Sequence, residues 1–140
     1  NALTKGDIRI ATSLLGRLFT LDGKVVNGAG RGGSLLNHPT ANLEVDSNLV
    51  IPGDGIYATW AYFQGGRYRA ATSIGVRPTF GSDMHTVESF ILDYNGNLYG
   101  QSMQLEFVEY LREQVTFQDI KDLKEQMQID VEQIRRLLKN

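Results

Sequence analysis

The chain of 140 residues contains no cysteine, so disulfides, thiolate catalysis and cysteine-ligated zinc are excluded, and its length suffices for one domain with a core of its own. The formal net charge of −2 and the isoelectric point near 5.6 give no general attraction for nucleic acid or an anionic membrane. Because no run approaches the roughly 18 apolar residues of a membrane span, the composition predicts a cytoplasmic protein with neither nucleic-acid nor membrane partners.

After a short predicted helix within 3–15, dipeptides that tolerate positive φ divide the first hundred residues into short β-rich runs. These dipeptides are Asp22-Gly23, Asn27-Gly28, Asp54-Gly55, Gly65-Gly66 and Asn95-Gly96. The predicted strands are Gly16 to Leu21, Lys24 to Asn27, Ala41 to Leu43, Ile56 to Phe63, Arg67 to Ile74, Val87 to Tyr94 and Ser102 to Glu109. Short strands at regular spacing favour an antiparallel barrel or sandwich.

Beyond Leu111 the apolar residues recur every third or fourth position, which predicts an amphipathic helix. They are Phe117, Ile120, Leu123, Met127, Val131, Ile134 and Leu138. Thr116 and Asp119 resemble a capping box, and Asp130 is a candidate start of a second helix after a break near Gln128. The predicted architecture is a small antiparallel barrel with a C-terminal helix packed across it.

A glycine-rich stretch, Gly28-Ala29-Gly30-Arg31-Gly32-Gly33, comes shortly before Pro39-Thr40-Ala41-Asn42. Glycines let backbone N–H groups approach an anion, and the Thr40 hydroxyl and the Asn42 amide oxygen are hard ligands that suit Mg²⁺. This combination indicates metal-assisted phosphate chemistry. Taken alone, however, Pro-Thr-Ala-Asn is equally well explained as an Asx or ST turn that leads into a strand. No P-loop sequence supports the phosphate interpretation.

Glu88 is the candidate general base. Strand alternation places it on the same face as Phe90, Leu92 and Tyr94, which is the more apolar face of that run. Desolvation there disfavours a charged carboxylate, so Glu88 is either a base with a raised proton affinity or a buried carboxylate paired with an arginine.

Several further motifs extend along nearly the whole chain. They are Leu14-Leu15-Gly16-Arg17, Val25-Val26-Asn27-Gly28, Gly30-Arg31-Gly32, Pro39-Thr40-Ala41-Asn42-Leu43, Gly55-Ile56-Tyr57-Ala58, Ser73-Ile74-Gly75-Val76-Arg77-Pro78-Thr79-Phe80-Gly81, Val87-Glu88, Leu98-Tyr99-Gly100 and Leu111-Arg112-Glu113. Through them the chain resembles the riboflavin kinase module of bacterial bifunctional FAD synthetases.

The resemblance implies a six-stranded antiparallel Greek-key barrel that transfers the γ-phosphate of Mg-ATP to the 5′-hydroxyl of riboflavin, giving FMN and ADP. It makes Glu88 the base and assigns Mg²⁺ to Thr40 and Asn42. The implied nucleotide-binding residues are Gly28, Gly30, Arg31, Gly32, Gly33, Pro39, Thr40 and Asn42. The implied flavin-binding residues are Tyr99, Leu111, Arg112 and Phe117.

The chain departs from the family pattern before Pro39, where Asn37-His38 replaces the usual Gly followed by Phe or Ile. The alternative hypothesis is therefore a flavin- or nucleotide-binding barrel that does not catalyse. The opening segment through Arg17 resembles the junction of the bifunctional enzymes, so an FMN adenylyltransferase domain is expected before Asn1 in the native protein.

Overall fold

The computed structural model describes residues 19–26, 40–45, 53–79, 82–94, 96, 98–115 and 117–139, and within these ranges it has six strands and one helix. They are β1 (Phe19–Val26), β2 (Thr40–Glu44), β3 (Gly55–Phe63), β4 (Gly66–Thr79), β5 (Ser82–Ile91), β6 (Ser102–Arg112) and α1 (Ile120–Leu137). The strands close an antiparallel barrel in the order β1-β2-β5-β4-β3-β6. Because β2 returns beside β5, next to the β3-β4-β5 meander, the topology is a Greek key, and the predicted fold is confirmed.

The first two predicted strands are one continuous strand, so the predicted turn at Asp22-Gly23 is wrong. Gly23 lies within β1 opposite Met103 of β6. A Cβ atom on Gly23 would stand 3.0 Å from the Glu44 carbonyl oxygen, so the glycine permits the close approach of the β2 backbone rather than a turn. The predicted turn at Asn27-Gly28 and the predicted helix within 3–15 lie outside the described residues.

The turn between β3 and β4 was predicted at Gly65-Gly66 and lies one residue earlier, at Gln64 and Gly65. Both have positive φ, 51° and 76°, and Phe63 pairs with Gly66 across the turn. Positive φ at both central residues is the property of a type I′ turn, whose twist matches that of the flanking strands. The pairing then continues from β4 into β5, where Thr79 pairs with Ser82.

Two apolar clusters hold the fold together. The interior cluster fills the barrel, and its largest members are Tyr57, Phe107, Leu21, Ile74, Ile91 and Leu105. The helix-covered cluster lies between the barrel and α1, and it comprises Ala58, Trp60, Phe90, Leu92, Val131, Ile134 and Leu138. Strands β3 and β5 therefore bury residues on both sides, which gives the outer face under α1 an apolar floor.

Buried hydroxyls bridge three neighbouring strands. Thr59 donates to the Ala70 carbonyl at 3.1 Å, Thr72 lies 2.8 Å from Thr59, and Ser89 lies 2.7 Å from Thr72. All three hydroxyl residues are fully buried. Because each hydroxyl is satisfied by the next, the chain of hydrogen bonds fixes the register of β3, β4 and β5.

The helix is continuous, so the predicted break near Gln128 and the restart at Asp130 are wrong. Asp119 is the N-cap, and its carboxylate accepts from the Lys121 amide at 2.9 Å; Thr116, the other half of the predicted capping box, lies outside the described residues. Asp130 is buried in the middle of the helix, where its carboxylate binds Arg112. Its polar character marks a tertiary contact and not a cap.

Candidate functional site

Asn42 on β2 and Glu88 on β5 are directly opposed residues of an antiparallel strand pair. Thr40, two residues earlier on β2, stands opposite Phe90. Directly opposed residues have Cβ atoms about 4.5–5.5 Å apart and lie on the same face of the sheet. The barrel thus brings the predicted metal ligand Asn42 beside the predicted base Glu88, although long stretches of sequence separate them.

On the side of Glu88 that faces away from Asn42, cross-strand pairing continues from β5 to β4, β3 and β6. Glu88 pairs with Ser73 of β4, Ser73 pairs with Ile56 of β3, and Ile56 pairs with Arg112 of β6. The candidate base and a candidate flavin-binding residue are therefore connected by three successive cross-strand pairings, with a register shift beside Ile56. We define the candidate site as Asn42, Glu88, Ser73 and the segment that follows β6.

Glu88 lies on the outer face of the barrel. Its neighbours Val87 and Ile91 belong to the interior cluster, whereas Phe90 and Leu92 belong to the helix-covered cluster. The predicted face is correct for Phe90 and Leu92 but wrong for Tyr94, which packs against the interior cluster. The alternation ends because β5 stops at Ile91 and Asp93 adopts a φ of 58°. Glu88 is half-buried, next to an apolar floor.

Arg112 joins the end of β6 to the helix. Its Nε donates to Asp130 Oδ1 at 3.0 Å, and its Nη2 donates to Asp130 Oδ2 at 2.7 Å. The Gln126 amide also donates to Asp130 Oδ1, at 3.1 Å. Asp130 is a buried carboxylate that receives three donors, so the bidentate contact fixes the orientation of the guanidinium. The remaining nitrogen, Nη1, donates to the Glu113 carbonyl at 3.0 Å.

Gln114, two residues after the end of β6, attaches this segment to β4 by side-chain hydrogen bonds. Its Nε2 donates to the Ser73 hydroxyl at 2.8 Å and to the Ile74 carbonyl at 2.6 Å. Since Ser73 is the cross-strand partner of Glu88, the contact places this segment beside the candidate base.

The other predicted flavin residues occupy two regions of the described structure. Leu111 packs against the helix-covered cluster, and Phe117 is half-buried shortly before α1. Tyr99 is 66% exposed in a turn at the opposite end of β6. That turn is joined to β1, because Gly100 donates to the Val25 carbonyl at 2.9 Å. Val26, the next residue of β1, pairs with Asn42, so the turn that contains Tyr99 lies on the β1 side of the candidate site.

Two tyrosines beside the end of β6 remain protonated. Burial raises the pKa of Tyr57, whose hydroxyl donates to the Gly53 carbonyl at 2.5 Å. Burial, and after it the nearby Glu113 carboxylate, raises the pKa of Tyr110. Neither phenol can therefore serve as a base near neutral pH.

The donor set fits a magnesium ion that is shared with a nucleotide. Among the residues described, no three His, Cys, Asp or Glu side chains cluster to form a metal site. Mg²⁺ does not require such a cluster when phosphate oxygens and water complete its shell, and one or two protein oxygens then suffice. Asn42 offers an amide oxygen beside the Glu88 carboxylate, and Thr40 stands two residues away on the same strand.

The predicted phosphate-binding residues before β2 fall outside the described ranges. They are Gly28, Gly30, Arg31, Gly32, Gly33 and Pro39. Asn37 and His38, where the sequence departs from the family pattern, also fall there.

Sequence reasoning missed Asp130, Ser73 and Gln114 as parts of this region. Asp130 was read as a helix start because aspartate favours that position. A signal was present, since Asp130 lies three residues after Met127 and four before Ile134, which places a charged residue on the apolar face of the helix. Ser73 stands in a motif that carries the family resemblance, but neither it nor Gln114 received a role, because their contact depends on the path of the chain after β6.

Residues 15–138 match the family model described as "Flavokinase: Riboflavin kinase". A "Bifunctional riboflavin kinase/FMN adenylyltransferase" of Bacillus subtilis is 32% identical over 142 residues, and the match covers 99% of this chain and 45% of that protein. The chain therefore spans less than half the length of this relative. Within the described residues, no helix is long and apolar enough to cross a membrane.

Two solved structures resemble the barrel. One, titled "Crystal Structure of Macrolide-efflux Protein from Streptococcus pneumoniae", matches with a TM-score of 0.90 at 31% identity, over 96% of this chain and 44% of that one. That name is given to the longer protein as a whole. Riboflavin kinase from Trypanosoma brucei matches with a TM-score of 0.65 at 24% identity, over 85% of this chain and 78% of that one, which shows a shared fold.

Proposed function

This chain belongs to the riboflavin kinase family, and on that premise we propose that it transfers the γ-phosphate of Mg-ATP to the ribityl 5′-hydroxyl of riboflavin, giving FMN and ADP. The observation that carries the proposal is the cross-strand pairing of Asn42 with Glu88. Phosphoryl transfer to an alcohol requires a metal-bound phosphate and a proton acceptor side by side, and this pairing supplies one residue suited to each task.

Thr40 and Asn42 would hold the magnesium ion of Mg-ATP through their side-chain oxygens. When bound, the ion would supply charge neutralisation for the transferred phosphate. A strand of the barrel is a rigid support for these ligands, because Ala41 and Leu43 on either side of Asn42 are buried in the interior cluster. Positioning of this kind accounts for most of the catalysis of phosphoryl transfer.

Glu88 would accept the proton of the riboflavin 5′-hydroxyl. As that oxygen forms its bond to the γ-phosphorus, the bond from the γ-phosphorus to the bridging oxygen of ADP breaks, and the proton remains on the carboxylate. The half-buried position of Glu88, above the apolar floor that includes Phe90, supports a basic carboxylate.

The flavin ring would lie against the end of β6 and the segment after it. Leu111, Arg112 and Phe117 are the proposed contacts, and Tyr99 would approach from the turn before β6. The contact of Gln114 with Ser73 supports this placement, since it brings the segment beside Glu88. An isoalloxazine ring requires a flat, mostly apolar slot with a few polar groups, and Leu111 and Arg112 together offer both.

The phosphates of ATP would be cradled by the backbone of Gly28, Gly30, Gly32 and Gly33, with Arg31 and Pro39 alongside. Glycines permit this close approach of the backbone to an anion.

We further propose that the native protein carries an FMN adenylyltransferase domain, because the Bacillus subtilis relative is named for both activities and this chain covers 45% of it. The cytoplasm, where ATP is available, is the proposed location.

The direct test is to incubate the purified chain with riboflavin and Mg-ATP and to separate the flavins by chromatography. We expect FMN in amounts equal to the ADP formed, and no product when Mg²⁺ is chelated. Riboflavin that binds, as seen by quenching of its fluorescence, without any FMN would select the non-catalytic binding barrel instead.

A further inference from the structure

Gln114 makes two side-chain hydrogen bonds that fix the segment after β6 on the surface of β4. Its Nε2 donates to the Ser73 hydroxyl at 2.8 Å and to the Ile74 carbonyl at 2.6 Å. Both protons of the amide nitrogen are thereby used, by two consecutive residues of one strand. Gln114 is nevertheless an exposed residue, so its contacts contribute little to the core of the barrel.

Gly75 provides the space that this amide occupies. A Cβ atom on Gly75 would stand 2.9 Å from Gln114 Nε2, and its three nearest heavy atoms would all belong to the Gln114 amide. The φ of Gly75 lies outside the range that disfavours other residues. A methyl group at position 75 would therefore have to displace the flexible end of the Gln114 side chain and not the backbone of a neighbouring strand.

The segment is held on both sides of Glu113. Arg112 is bound by Asp130 of α1, and Gln114 is bound by Ser73 and Ile74 of β4. Ser73 pairs with Glu88, so the second attachment lies at the level of the candidate base. The Gln114 attachment is therefore the one that ties this segment to the strand next to Glu88.

We propose that Gln114 is a positioning residue for riboflavin. Its hydrogen bonds to Ser73 and Ile74 hold the segment after β6, which borders the proposed flavin slot, in the position from which the ribityl hydroxyl reaches Glu88. The inference rests on the proposed function. When the attachment is removed, the segment samples other positions, and the apparent affinity for riboflavin falls with the population of the competent position. Gln114 does not touch the reacting atoms, so the rate of the bound complex changes less.

Two variants break the attachment from opposite sides. Gln114→Ala removes the donor, and Gly75→Ala places a methyl group where the amide lies. Gln104→Ala is the matched control, because Gln104 is also an exposed strand-end glutamine, with one hydrogen bond to Asp22 at 3.0 Å. Riboflavin binding is measured by fluorescence quenching, and the KM for riboflavin, the KM for Mg-ATP and kcat are measured by FMN formation.

Both variants should weaken riboflavin binding and raise its KM by roughly 5- to 30-fold, the scale of one or two lost hydrogen bonds. The kcat should stay within about 3-fold and the KM for Mg-ATP should not change, since phosphate binding does not involve Gln114. In the Gln114→Ala background, Gly75→Ala should cause little further loss of riboflavin affinity, because the Gln114 amide that the methyl group would displace is absent. Gln104→Ala should behave as the wild type.

Riboflavin affinity equal to that of the wild type in both single variants would overturn the inference, as would tighter binding. Fully additive losses in the double variant would also overturn it, because Gly75→Ala would then act on another group. If the wild-type chain formed no FMN, the proposed function would fail, but the fluorescence measurement would still decide the role of Gln114 in binding.

Discussion

Asn42 of β2 stands directly opposite Glu88 of β5, and this pairing joins a proposed magnesium ligand to the proposed base. Cross-strand neighbours at this separation influence each other electrostatically as well as sterically. An amide at position 42 would offer an oxygen to the proposed metal without placing a second negative charge beside the proposed base. The lack of charge on the Asn42 side chain is therefore a proposed property of the site, because a carboxylate there would repel the Glu88 carboxylate.

Replacing Asn42 with Asp should shift the acid limb of the kcat profile to higher pH. A carboxylate at position 42 would raise the pKa of Glu88 by like-charge repulsion, and a base must be deprotonated to act. We expect a shift of about one unit or less, measured by FMN formation between pH 5 and 9. Asn42→Ala is the control, since it removes the metal ligand without adding charge. If the acid limb of the kcat profile did not shift in Asn42→Asp, a charge at position 42 would not affect the base, which would contradict the prediction.

Thr40→Ala should weaken the binding of Mg-ADP, because the hydroxyl of Thr40 is one of the proposed magnesium ligands. Titration calorimetry with and without Mg²⁺ measures the effect, which should disappear when the metal is chelated. Thr20, an exposed residue of β1, gives the matched control Thr20→Ala. An affinity for Mg-ADP equal to that of Thr20→Ala would remove Thr40 from the metal site.

Asp130→Ala should destabilise the fold, because it leaves the Arg112 guanidinium partly buried without its bidentate partner. Removing one member of a buried pair costs about 3 kcal/mol. Urea denaturation should show this loss, whereas Glu132→Ala, an exposed change on the same helix, should lie within about 0.5 kcal/mol of the wild type. A midpoint for Asp130→Ala that matches the control would mean that Arg112 does not anchor the helix.

The barrel and the helix could be predicted from the sequence because their signals are local. The β-branched and aromatic residues of Ile56 to Phe63, bounded by glycine dipeptides, indicate a strand, and the three- and four-residue spacing from Ile120 to Leu138 indicates a helix. The errors have tertiary causes. Gly23 suggested a turn but allows β2 to approach β1, and Asp130 suggested a cap but binds Arg112.

The site could be predicted only in part. Residue types selected Thr40, Asn42 and Glu88, but nothing in the spacing of the sequence states that Asn42 and Glu88 are opposed. That relation arises from the Greek-key return of β2 beside β5. Gln114 was missed for a similar reason, because an exposed glutamine is chemically ordinary until the structure places Ser73 and Ile74 within reach.

The measurement that tests the account most directly compares FMN formation by the wild type and by Glu88→Gln. Glutamine keeps the size of the side chain but cannot accept the proton, so the rate should fall by roughly 100-fold or more while riboflavin still binds. Glu44→Gln, an exposed change on the adjacent β2, should retain wild-type activity. Near-normal FMN formation by a folded Glu88→Gln protein would contradict the assignment of Glu88 as the base.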